Sequence, residues 1–143
     1  MKTSKKAVAG TTAMAYLIIF IAVPVLGITA DRKSRWSSAF DKAPATATSR
    51  RSPYEGNADA VLAGGKLFRR HCEECHGREG EGTETAPSLR SALIQAAAPG
   101  TLFWFLGNGD LRGGMPEWSG LPEQQRWQIV SYLKSLSPKE PVK

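Results

Sequence analysis

Three patterns of apolar and polar positions succeed one another along the chain. From Ala7 to Ala30 no side chain is charged, and Ala13 to Val23 is dense in Leu, Ile, Phe and Val. Lys2, Lys5 and Lys6 precede this run, while Arg32, Lys33 and Arg35 follow it. Its length is generous for a signal peptide and adequate for a helix that spans a bilayer. Cleavage after Ala30 would set Ile28 where a small residue is wanted, whereas Pro24 and Gly27 resemble the breaking end of a signal. Residues 1–30 therefore read as an N-terminal membrane anchor or uncleaved signal segment, with a cleaved signal as the alternative. No cysteine lies nearby to carry a lipid.

Residues 31–56 lose all apolar period. Ser, Ala, Thr, Pro and Arg dominate, a composition that cannot bury enough surface to fold alone. They are expected to form a flexible linker with ends about 30 Å apart as a coil. Helical periodicity begins after that. Asn57 is placed to cap a helix running toward Arg70, with Val61, Leu62, Leu67 and Phe68 as its apolar stripe. A Gly-rich stretch follows from Gly77 to Thr85, and a short helix is expected around Thr101–Leu106. Pro122 and Glu123 suit the start of a last helix, in which Trp127, Ile129, Val130, Leu133 and Leu136 recur helically. Ser137-Pro138 would end it. No stretch alternates as a strand should, so residues 57–143 read as one all-α domain.

Charge changes this picture little. The formal net charge is +6, but residues 1–56 hold nine Lys and Arg against three Asp and Glu, and residues 57–143 hold ten of each. The basicity thus flanks the apolar run, and the folded part offers no basic face for nucleic acid. Those flanking charges are nearly balanced across the span, so they do not fix its orientation.

The chemistry is concentrated in Cys72-Glu73-Glu74-Cys75-His76, a C-x-x-C-H haem-attachment pattern. Cysteines three apart share one face of a helical turn and reach two vinyl groups on one haem edge. His76 then follows as proximal iron ligand. A redox dithiol would need a βαβ setting that is absent here, and a zinc site would need a fourth ligand when His71 is the one other histidine. For the other axial position, Met115 is the single methionine outside the apolar run and the start residue. It sits in Gly113-Gly114-Met115-Pro116, where glycines permit close backbone approach and proline fixes the exit. His71 is a weak competitor, being constrained by Cys72. Ligation by His76 and Met115 would raise the reduction potential and leave no open iron position for catalysis.

With these residues in view, residues 57–143 resemble the class I c-type cytochromes. Gly64, Leu67 and Phe68 before Cys72 are similar to that family's first helix, whose glycine lets it cross the last helix, where Tyr132 is the matching aromatic. Ala86-Pro87-x-Leu89 is similar to the segment whose proline carbonyl accepts a hydrogen bond from the proximal histidine. The resemblance implies several short helices wrapped round one covalently bound haem c, held by Cys72, Cys75, His76, Met115 and Pro87. Attachment would occur outside the cytoplasm, which places the haem domain on the periplasmic side of the cytoplasmic membrane. Trp104, Trp118 and Trp127 read as pocket packing or an electron path. The charged stretch with Glu73, Glu74, Glu79, Glu81, Glu84, Arg69, Arg70 and Arg78 reads as a solvated face, with partner docking as the lesser alternative.

The function expected is one-electron transfer by a membrane-tethered monohaem carrier. It would have redox-protein donors and acceptors, no small-molecule substrate and no enzymatic activity. A fixed electron-transfer subunit of a dehydrogenase or oxidase is the alternative, and a haem enzyme or gas sensor is a further one.

Overall fold

The computed structural model of the chain describes residues 38–136. The expected apolar segment 1–30, the first part of the linker and the Ser137-Pro138 stop lie outside these residues. Residues 38–40 are helical. They are followed by α1 (Ala45–Thr48), α2 (Ala58–His71), α3 (Glu73–His76), α4 (Ala92–Ala96), α5 (Pro99–Asn108), a 3-10 turn (Leu111–Gly113) and α6 (Glu123–Ser135). Among the described residues there is no strand, only an isolated antiparallel bridge between Asp110 and Met115. No described helix is long and apolar enough to cross a membrane.

Asn57 starts α2 as its sequence position suggests. Its side chain accepts a hydrogen bond from the Ala60 N–H at 2.9 Å, satisfying one of the free amides of the first turn. The buried stripe of α2 runs through Ala60, Gly64, Gly65 and Phe68. Leu62, expected in that stripe, is 67% exposed, whereas Phe68 is fully buried. Two glycines occupy the contact face because α2 crosses α6 there. A Cβ on Gly64 would stand 1.9 Å from the Gln128 carbonyl oxygen, and the Phe68 and Tyr132 rings pack at 5.1 Å beside the crossing. Gly64→Ala is expected to destabilise the fold by about 1–3 kcal/mol through overpacking. A chemical-denaturation midpoint equal to that of the parent would show that the two backbones have room to spare.

The last helix matches its sequence pattern closely. Trp127, Ile129, Val130, Leu133 and Leu136 are all buried, and Pro122 precedes the helix as its N-cap residue. Helix α5 is longer than expected at both ends, beginning at Pro99, whose missing N–H costs nothing in a first turn. Gln95 and Lys134 join α4 to α6. The Gln95 amide donates to the carbonyls of Leu89 and Leu133, and the Lys134 ammonium donates to those of Gln95 and Ala97. Partial burial lowers the Lys134 pKa, and its hydrogen bonds commit it to the fold rather than to a partner.

The structure differs from the flexible-linker expectation over residues 38–56. Phe40 meets the edge of Phe105 with ring centroids 4.9 Å apart, and both Ala39 and Phe40 are buried. Helix α1 lies on α5, where a Cβ on Gly100 would be 2.0 Å from the Ala47 carbonyl oxygen. Arg50 pairs with Glu123 at 2.6 Å, and its guanidinium stands 4.7 Å from the centre of the Phe103 ring. Hydrogen bonds from Arg50 and Trp127 hold the Glu123 carboxyl below its ordinary pKa. A segment too polar to fold alone is thus ordered by the apolar surface of its neighbour.

Candidate functional site

Helix α2 ends at His71, and the chain turns directly into α3, so Cys72, Cys75 and His76 fall within one helical turn. The amides of Cys75 and His76 both donate to the Cys72 carbonyl, at 3.2 and 2.9 Å. The Gly-rich stretch then folds back beneath this turn. Gly82 N–H donates to the His76 carbonyl at 2.7 Å, the Thr83 hydroxyl to the Cys75 carbonyl at 2.7 Å, and Leu89 N–H to the Gly80 carbonyl at 2.8 Å. These bonds bring the Pro87 carbonyl to 3.0 Å from His76 Nδ1.

That contact fixes the imidazole. A carbonyl can only accept, so Nδ1 carries the hydrogen and Nε2 keeps its lone pair. Burial holds the His76 pKa below its ordinary value, with the Pro87 bond opposing, and the residue is 9% exposed. A neutral, oriented imidazole with a free Nε2 is the form a metal requires.

Beside it opens a cavity of about 1020 Å³. Phe68, Ile94, Leu102, Phe105, Ile129 and Leu133 supply apolar walls, and Cys72, His76, Pro87 and Met115 also line it. The cavity stands at the upper end of the volumes seen for bound organic ligands, roughly 300–1,000 Å³. Large apolar walls, an imidazole, a thioether and a cysteine sulfur in one cavity are the donor set and surroundings that a haem needs. The residues present fit that group.

Met115 reaches the cavity through a built turn. Asp110 and Met115 exchange both backbone hydrogen bonds, at 2.9 and 3.0 Å, and Trp118 N–H donates to the Leu106 carbonyl at 2.8 Å. Within the protein a Cβ on Gly114 would meet nothing within 4 Å. The φ of +85° at Gly114 closes the 3-10 turn in the left-handed region, which glycine adopts freely.

The cavity brings together Cys72, His76, Pro87 and Met115, but not Cys75, which is exposed and does not line it. His71 packs its ring on Trp118 at 5.3 Å and lies outside the lining. None of Trp104, Trp118 and Trp127 lines the cavity; Trp127 stacks on Phe103 at 4.2 Å. In the charged stretch, Glu79 pairs with Arg90 at 3.1 Å and its N–H donates to the Glu81 carboxylate. The sequence reading did not identify Phe40, which lines the cavity from the segment before Asn57. The Cys72 thiol is pushed up to about 12, mainly by burial and further by Cys75. A redox dithiol depends on the opposite shift, so the dithiol reading has no support here.

Comparison with known proteins bears on the same residues. The family model described as cytochrome c oxidase, cbb3-type, subunit III matches residues 59–133. Among solved structures, cytochrome cL from the marine methylotrophic bacterium Methylophaga aminisulfidivorans is similar in fold, with a TM-score of 0.54 and 25% identity. That match covers 61% of this chain and 59% of the other, so it spans less than two thirds of the latter protein. No curated protein matches the chain. The matched family segment contains both cysteines, His76, Pro87 and Met115, and the chain belongs to this cytochrome c family as a class I c-type cytochrome.

Proposed function

We propose that the protein is a membrane-tethered monohaem cytochrome c that relays single electrons between redox proteins on the extracytoplasmic side of the cytoplasmic membrane. The observation that carries this reading is the meeting of His76 and Met115 in one apolar cavity, with His76 already oriented by Pro87. When bound, haem supplies the Fe(II)/Fe(III) couple. Cys72 and Cys75 would hold it covalently, and His76 and Met115 would ligate its iron. The Pro87 carbonyl strengthens His76 as a donor, and the apolar walls disfavour the more highly charged oxidised state. With both residues on the iron, neither a small-molecule substrate nor an enzymatic activity would be expected. The apolar run 7–30 would supply the tether.

A second reading, a fixed electron-transfer subunit of a dehydrogenase or oxidase, is favoured by the docking of residues 38–56. Only residues 31–37 then separate the apolar run from the packed domain, a reach of about 25 Å when fully extended. The swing available to a mobile carrier is correspondingly short. Extraction from membranes in mild detergent distinguishes the two. A mobile carrier is expected to emerge as a single haem protein, whereas a stoichiometric second polypeptide through two purification steps would identify a subunit.

A further inference from the structure

We infer that residues 38–50 form a strap that closes the Met115 side of the haem cavity, with Phe40 as the side chain that excludes water there. The inference rests on the proposed ligation by His76 and Met115, and concerns what keeps that ligation closed.

Phe40 lies outside the stretch that matches the family, which begins at residue 59. It is nonetheless 9% exposed and lines the cavity together with Phe105, Leu106, Gly113 and Met115. Between Ser38 and Pro53 it is the one large apolar side chain, in a stretch otherwise built from Ala, Thr, Ser, Pro and charged residues. A mere spacer has no use for a single aromatic inserted into the cofactor cavity.

The rest of the strap holds that aromatic in place. The Ala43 N–H donates to the Phe40 carbonyl at 3.0 Å and turns the chain toward Pro44, the N-cap residue of α1. The Thr101 hydroxyl bonds that of Thr48 at 3.2 Å, and the Ala47 carbonyl fills the space left by Gly100 on α5. Beyond α1, Arg50 is clasped by Glu123 and by the faces of Phe103 and Trp127, 4.7 and 5.3 Å from the ring centres. One end of the strap is thus fastened to α5 and α6, and the other carries Phe40 into the cavity.

Water reaching the Met115 side would stabilise the oxidised iron and compete with a thioether, which is a weak ligand. The strap opposes both effects. Opening it would expose the iron without unfolding the α2–α6 pair, because Phe40 and Arg50 make no part of that crossing.

The test uses the full-length, haem-loaded protein as Phe40→Ala, Phe40→Leu and Arg50→Gln. Each is read for haem content, reduction potential and the rate at which the reduced protein binds carbon monoxide. Phe40→Ala is expected to bind carbon monoxide about tenfold faster or more, at a lower potential, with Phe40→Leu and Arg50→Gln intermediate. If Phe40→Ala does not accumulate, the other two variants carry the same test. Unchanged potential and carbon monoxide rate, even with a lower melting temperature, would overturn the strap's role at the haem. Rapid carbon monoxide binding by the parent protein would instead overturn the His76/Met115 ligation. The strap would then be judged on the potential, and an unchanged value would overturn it too.

Discussion

Cys72→Ala is expected to abolish accumulation of normally matured haem protein, and Cys75→Ala to do nearly the same. The cavity explains the size of the effect. About 1020 Å³ between α2, α4, α5 and α6 is walled by Phe68, Ile94, Leu102, Phe105, Ile129 and Leu133. These walls face a cavity that a bound cofactor would fill, so a domain that fails to retain it keeps a large void beside its core. A domain of this size has little stability to spare. The cysteines are the residues that would make retention irreversible. The check is haem content after denaturing electrophoresis, where covalent haem alone survives. Wild-type amounts of doubly linked haem in either variant would contradict covalent attachment through this pair.

Met115→Ala should produce the largest change in the protein that does mature. Its loop is held by backbone bonds between Asp110 and Met115 and by Trp118 N–H on the Leu106 carbonyl, none of which needs the thioether. The substitution would therefore remove the proposed ligand while leaving the turn in place. Loss of the thioether is expected to lower the reduction potential by on the order of 0.1 V or more, within the wide range that axial ligands command. A vacant axial position should also let carbon monoxide bind the reduced protein at once. Redox titration and carbon monoxide binding check both consequences. An unchanged potential would exclude Met115 as an iron ligand.

The sequence carried the chemistry more clearly than it carried the packing. Cys72, Cys75 and His76 are a local pattern, and Met115 stands alone as a candidate, so neither needed tertiary information. The last helix was equally clear, because Trp127, Ile129, Val130, Leu133 and Leu136 make a wide apolar stripe. In α2 the stripe was drawn too far toward Leu62. Two of its four buried positions are Gly64 and Gly65, which hydrophobic periodicity does not count. Pro87 was visible through family resemblance alone, since its role belongs to a backbone carbonyl placed by the fold of the Gly-rich loop.

Phe40 and Arg50 left no signal. A single aromatic among Ala, Thr and Pro has no period. Its burial depends on Phe105, and the placement of the exposed Arg50 on Phe103, Trp127 and Glu123, all more than fifty positions away along the chain. Composition described the segment correctly as unable to fold by itself. What it lacked was the neighbouring surface that orders it.

The most direct test of the account is the absorption spectrum of the reduced, haem-loaded wild-type protein with and without carbon monoxide. No change is expected if His76 and Met115 hold the iron as proposed, since neither position would then be open to a small ligand. Rapid formation of a carbon monoxide complex would contradict it, and would make this a haem protein with an open or labile site.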